Sequence, residues 1–428
     1  MKKVSVLAAA VATAFVTGSA FAAEKVNGTD VITDGWEVHG YASMNVRQVD
    51  GETTDNEYGK PDYKTAGTLG RSTNQVEITV KKHTEHANGV WSDFVVRSEY
   101  GNGNSYAYSS SGGQKSNDEN QFEVKETFIE IGALPYLGED TSVWAGQRFL
   151  NRSSGLLSGE FWKQSSGVGA GIQTKISGNT AGFAVMEADP DAGYETHNAE
   201  RTTLTSHDLY LYGVDIGIGR LDFDLKYIKQ ANTSGTTADD GVGASITLNS
   251  SYYGLDGWAQ SAIAYGEDAA THRVNFGQWS GGTEGENSIF LTSYGVLNIS
   301  DKWQMGSEVT YLGTLDELWG TELTRYLLAV RPSYKVNDNL RLEFTASYGY
   351  EEVGDEGDWS RSGDAVEGSY INLEIATPLT VNADFFGRPQ IKPYISYIKA
   401  DDEESAAIIG ISDDDKEVIV GVHAEIWF

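Results

Sequence analysis

Glu417-Val-Ile-Val-Gly-Val-His-Ala-Glu-Ile-Trp-Phe428 closes the chain and decides its fold. Val418, Val420, Val422, Ala424, Ile426 and Phe428 fall on one side of an extended strand, and Glu417, Ile419, Gly421, His423, Glu425 and Trp427 on the other, because successive strand side chains point to opposite faces. One side is oily and the other mostly wettable. Such a strand packs its apolar face on a second sheet, as in a secreted sandwich, or on lipid.

The alternation recurs upstream. Leu340, Leu342, Phe344, Ala346, Tyr348 and Tyr350 oppose Arg341, Glu343, Thr345, Ser347 and Gly349. Leu221, Phe223, Leu225 and Tyr227 oppose Asp222, Asp224 and Lys226, while Leu328, Val330, Pro332 and Tyr334 oppose Arg331, Ser333 and Lys335. Near the start, Trp36, Val38, Gly40, Ala42, Met44 and Val46 oppose Glu37, His39, Tyr41, Ser43, Asn45 and Arg47. Turns at 177–180, 217–219 and 336–339 join neighbouring strands, and long polar stretches at 101–121, 188–203, 231–250, 281–287, 351–367 and 400–416 separate others. Aromatics at the ends of the apolar faces (Trp36, Tyr326, Tyr334, Tyr348, Tyr350) match the interfacial girdles of a lipid-facing wall. A final strand ending on Phe is characteristic of bacterial outer-membrane barrels, where it pairs with the first strand because an open edge cannot sit in hydrocarbon. The chain therefore reads as all-β, a transmembrane antiparallel β-barrel. Sixteen or eighteen strands of about 11 residues both fit its length and both enclose an aqueous lumen.

Composition agrees. The 428 residues include 49 Gly and no Cys, which excludes disulfides and thiol chemistry. No run of about 20 apolar residues is available for a spanning helix. With 62 acidic against 31 basic residues the chain repels phosphate backbones, so nucleic acid is not a partner and neutral or cationic partners are favoured. Lys2 and Lys3, the apolar stretch 4–16 and Ala20-Phe21-Ala22 make residues 1–22 a secretory signal peptide, leaving 23–428 as one domain without a composition shift or Pro-rich linker.

Catalytic signatures are missing: there is no nucleophile elbow, phosphate loop, H-E-x-x-H or EF-hand loop. The Gly167-Val-Gly-Ala-Gly171 run imitates a nucleotide loop, but with no following helix it marks a strand passing close to something bulky. His207 and Asp208 are adjacent and so face opposite sides of a strand, which keeps them out of a single catalytic site. The acidic runs at 401–404 and 413–415 offer oxygen ligands to Ca²⁺, and solvated loop charge is the simpler reading.

Trp144-Ala-Gly-Gln-Arg-Phe149, then Asn151-Arg152, Glu160-Phe161-Trp162 and Gly167-Val-Gly-Ala-Gly171, resemble the maltoporin-type carbohydrate-selective porins of the bacterial outer membrane. Further matches lie in order: His39-Gly-Tyr-Ala42, Arg331-Pro-x-Tyr-Lys335, Arg388-Pro-x-Ile-Lys392 with Tyr394 and Tyr397, and Ala424-Glu-Ile-Trp-Phe428. The resemblance implies an 18-stranded barrel, a homotrimer set in lipid and lipopolysaccharide, and a loop over 150–166 folded into the lumen as a constriction. It also implies passive diffusion of sugars along an aromatic slide flanked by a polar track. By position Tyr41, Trp258, Phe386 and Trp427 match slide aromatics; Glu77, Lys125, Arg152 and Glu160 match the polar track, and Phe161 a constriction tyrosine. Departures at Ser43, Thr68, Gln75, Leu156 and Gly159 shorten the slide and thin the track, so the sugar is not specified. No enzyme activity or cofactor is implied.

The expectation is an outer-membrane channel for facilitated diffusion of sugars. The alternatives are a general porin preferring cations and a surface receptor or adhesin barrel. N-terminal sequencing of the exported protein should begin at Ala23, and a start at Met1 would refute the leader reading.

Overall fold

The computed structural model describes residues 31–54, 65–69, 74–102, 120–188, 203–231, 240–270, 274–276, 284–318, 320–354, 365–411 and 414–428. The leader 1–22 and most of the long polar stretches lie outside them.

The described residues hold one sheet of twenty-one strands, three of which (Glu52–Thr54, Val274–Phe276, Leu379–Thr380) are two or three residues long. The other eighteen form a closed antiparallel barrel, each paired to its sequence neighbour. Closure joins the first and last described strands. The first strand, Val31–Val49, pairs with the last, Lys416–Trp427, in a register running from Tyr41 opposite Trp427 to Val49 opposite Ile419. Gly40 and Phe428 exchange both main-chain hydrogen bonds at 2.9 and 3.1 Å, and a Cβ at Gly40 would stand 2.4 Å from the Phe428 ring.

The period-two faces fall as the alternation requires. Val418, Val420 and Val422 are exposed on the outside, while His423 and Glu425 are buried inside. Likewise Leu342, Phe344 and Tyr348 face out, and Arg341, Glu343, Thr345 and Ser347 face in. An oily exterior over a polar interior is the inverse of a water-soluble sandwich and suits hydrocarbon outside and water within. Tyr326 stacks on Tyr350 at 5.1 Å toward the loop end of the outer wall, and Trp303 lies 4.8 Å from Tyr334 toward the turn end. The glycine run is explained by its neighbours. A Cβ at Gly171 would meet the Trp144 indole nitrogen at 2.5 Å, and one at Gly169 the Met186 sulfur at 2.7 Å.

Two sequence expectations need adjusting. The polar stretch 231–250 is largely strand, since Gly241–Tyr252 puts Val242 and Ile246 outside and the small Gly243, Ser245 and Thr247 inside. Small inward residues flatten the polarity contrast that marks a strand. The stretch 400–416 contains a one-turn helix, Glu403–Ile408, whose N-cap Asp402 accepts from the Ser405 main-chain N–H.

Val422 lies near the middle of its strand on the outer face, where Val422→Arg should destabilise the barrel by about 2–4 kcal/mol. Urea titration of the folded band on semi-native gels should show a lower midpoint, and an unchanged midpoint would remove this face from lipid.

Candidate functional site

Three connections fold into the bore. The first is the tip at 155–160 between Ser142–Ser154 and Phe161–Ile176, the fifth and sixth wall strands. Leu157 and Ser158 donate main-chain N–H groups to Glu308 on Trp303–Thr314, the thirteenth strand, and the Ser158 hydroxyl donates to it as well. The tip thus crosses almost the full width of the barrel. Glu160, 3% exposed, pairs with Arg325 at 3.2 Å on the same far wall, and Trp162 stacks on Phe290 at 5.9 Å. On the returning strand, residues 163–165 pair in parallel with Val274–Phe276.

The second connection is 65–69. The Thr68 main-chain N–H and hydroxyl donate to Glu374 at 2.7 and 2.6 Å, and Asn372 donates to the Ala66 carbonyl at 2.7 Å. The third is 377–389, at the turn end. The Phe385 N–H donates to Gln304 at 2.8 Å, and Lys335 holds Asp384 by a hydrogen bond that keeps its carboxyl below the usual carboxylate range. Leu157, Ala66 and Phe385, one from each connection, meet in a single apolar cluster with Val296, Leu327 and Ala329. The connections brace one another and fill one side of the lumen.

On the other side the polar residues form a row. Arg97 pairs with Glu77 and, at 3.4 Å, with Glu126. Its guanidinium lies 5.3 Å from the Phe149 ring, Arg152 lies 4.8 Å from that ring, and Arg152 also stacks 3.6 Å over Phe161. Guanidinium and phenyl planes therefore alternate from the wall to the loop. Lys125 is buried 3.8 Å from Glu99, to which Gln75 donates at 3.1 Å while also donating to Glu77. Glu77, Lys125, Arg152 and Phe161 thus share one region, whereas Glu160 lies against the opposite wall.

The aromatic residues form a second group at the turn-side mouth. Tyr41 and Trp427 are cross-strand partners on the inward register, and Trp427 is 42% exposed although it faces inward. The strand register also turns Trp258 inward, opposite the buried Val296, and its ring lies 6.1 Å from Phe386. Phe386 belongs to the same connection as Arg388, whose guanidinium lies 4.4 Å over Trp427. All four aromatics are thereby linked around the mouth. Arg388, pulled down from its ordinary value by burial with Glu425 opposing, remains a cation because a guanidinium starts far above neutral pH.

Arg97, Phe149, Glu126, Glu308, Glu374, Arg388 and Glu425 adjoin these residues and are not among the candidate site residues of the sequence. Arg388 carried a signal as part of an Arg-Pro motif, and Glu425 as an acid on the inward register. Glu308 carried none, because its partners are 150 residues away or more. No cluster of His, Asp or Glu able to hold a metal ion occurs among the described residues.

A family model described as LamB porin matches residues 36–428. The maltoporin of Vibrio cholerae serotype O1 (El Tor Inaba N16961) is 26% identical over 459 positions covering all of both chains. The maltoporin of Hahella chejuensis is 25% identical over 73% of this chain and 74% of its own. Among solved structures, Acinetobacter baumannii OccAB1 covers 94% of this chain and 100% of its own at 9% identity and a TM-score of 0.49. Pseudomonas aeruginosa OpdK covers 93% and 100%, also at 9% identity and 0.49.

Glu308→Ala removes the acceptor that grips the tip at 155–160. Single-channel recordings should show raised or flickering open conductance in a barrel that still assembles. A steady conductance equal to the parent's would mean that Glu308 does not hold the constriction.

Proposed function

The chain belongs to the LamB porin family, and we propose that pyranose rings pass along Tyr41, Trp427, Phe386 and Trp258 while their hydroxyls meet the polar groups at the constriction. It is an outer-membrane channel for the passive diffusion of sugars. The family is one of channels rather than enzymes.

The observation that carries the proposal is the exposure of Trp427, Phe386 and Trp258, large aromatics that a closed lipid barrel turns toward its bore. The flat C–H faces of a pyranose stack on aromatic rings, and its hydroxyls need donors and acceptors. Arg152, Glu77 and Lys125 supply those beside the infolded tip. Weak, repeated contacts let a sugar step onward instead of stopping. In this reading the leader 1–22 is cleaved on export, and three copies assemble in the membrane, their outer walls meeting one another, lipid and lipopolysaccharide.

Planar-bilayer conductance with a panel of neutral oligosaccharides tests the reading. Block should appear at millimolar sugar, and Trp427→Ala should weaken it about 3- to 10-fold with little change in open conductance, as expected for the loss of one stacking face. Channels that no oligosaccharide blocks, with a cation-selective reversal potential, would favour the general porin that the formal charge of -31 also suits. Absence of any conductance would favour a receptor or adhesin.

A further inference from the structure

We infer that Arg388 is a positioning residue for sugar passage, making Trp427 a braced platform at the turn-side mouth. The inference rests on the sugar-channel reading and names a residue which that reading does not need.

Trp427 lies at the end of the seam register, opposite Tyr41. The main chain is held where Gly40 and Phe428 exchange hydrogen bonds, but the indole itself is 42% exposed. The support comes from the 377–389 connection. Arg388 lies 4.4 Å over the ring, its Nε donates to Glu425 Oε2 at 2.6 Å and its Nη1 donates to the Gly387 carbonyl at 2.9 Å. Both bonds lie in the guanidinium plane and fix its tilt, which holds the cation over the half-exposed indole.

Glu425 also ties the platform to its neighbour. It accepts from Gln390 at 3.0 Å and from the Tyr41 hydroxyl at 3.3 Å, which sets Tyr41 and Arg388 against one carboxylate. Phe386, two residues before Arg388, reaches Trp258 on the far side of the mouth. One short segment therefore sets the attitude of rings on two separate walls. A sugar arriving from the turn side meets this platform first, whereas one arriving from the loop side has already crossed the constriction.

The test is sugar-block kinetics in oriented single channels, with sugar added to one side at a time, for the parent, Arg388→Gln and Arg388→Lys. Lysine keeps the charge and loses the plane. Both variants should slow association from the turn side about 2- to 5-fold and leave association from the loop side unchanged, while Arg388→Lys keeps the parent's ion selectivity. Equal slowing from both sides, or parental kinetics in either folded variant, overturns the inference while the channel reading stands. If Arg388→Gln fails to assemble, Arg388→Lys alone decides. A parent channel that no sugar blocks overturns both.

Discussion

Hydrocarbon offers no partner to a peptide N–H or C=O, and every other feature follows from that. A sheet in the bilayer must have no edge, so the first and last strands are committed to each other from Tyr41–Trp427 to Val49–Ile419. Closure fixes which side of each strand is wet. Because the side-chain period is two, a one-residue slip at the seam would drive Glu425 and His423 into lipid and Val422 into the lumen. Register is therefore specified by solvation along the whole circumference.

Once the wall is closed, the inward connections face a different problem. Their main-chain groups must be satisfied inside the bore, and two buried carboxylates solve it in the same way. Glu308 receives the N–H groups of Leu157 and Ser158, and Glu374 receives the Thr68 N–H and hydroxyl. Glu374 also lies 3.4 Å from Lys392, which lies 3.3 Å from Glu343, itself 2.7 Å from Arg341. A network of this kind is costly to leave half satisfied, so it holds the loops in one arrangement and concentrates the open passage on the other side of the lumen.

The wall was legible in the sequence because alternation is local, and closure turns it directly into inside and outside. That is why Tyr41 and Trp427 could be placed on the wet face from parity alone. Parity fails where the ladder is irregular. At the bulge beside Arg97 and Ser98, the sequence neighbours Lys125 and Glu126 both reach lumen partners, Glu99 and Arg97. It fails again at 241–252, where the inward side chains are too small to contrast with the outer ones. The braces are harder still. Glu308 with Leu157 and Asn372 with Ala66 join residues that no local pattern links, so the direction in which a loop folds belongs to the assembled barrel.

The docking of Phe428 against Gly40 sets an order of events in biogenesis. Two residues far apart in the sequence complete the seam, so the edge of each strand stays uncovered until the other arrives. Closure is therefore a late, non-local step, and until it happens the oily stripes of the strands are open to one another.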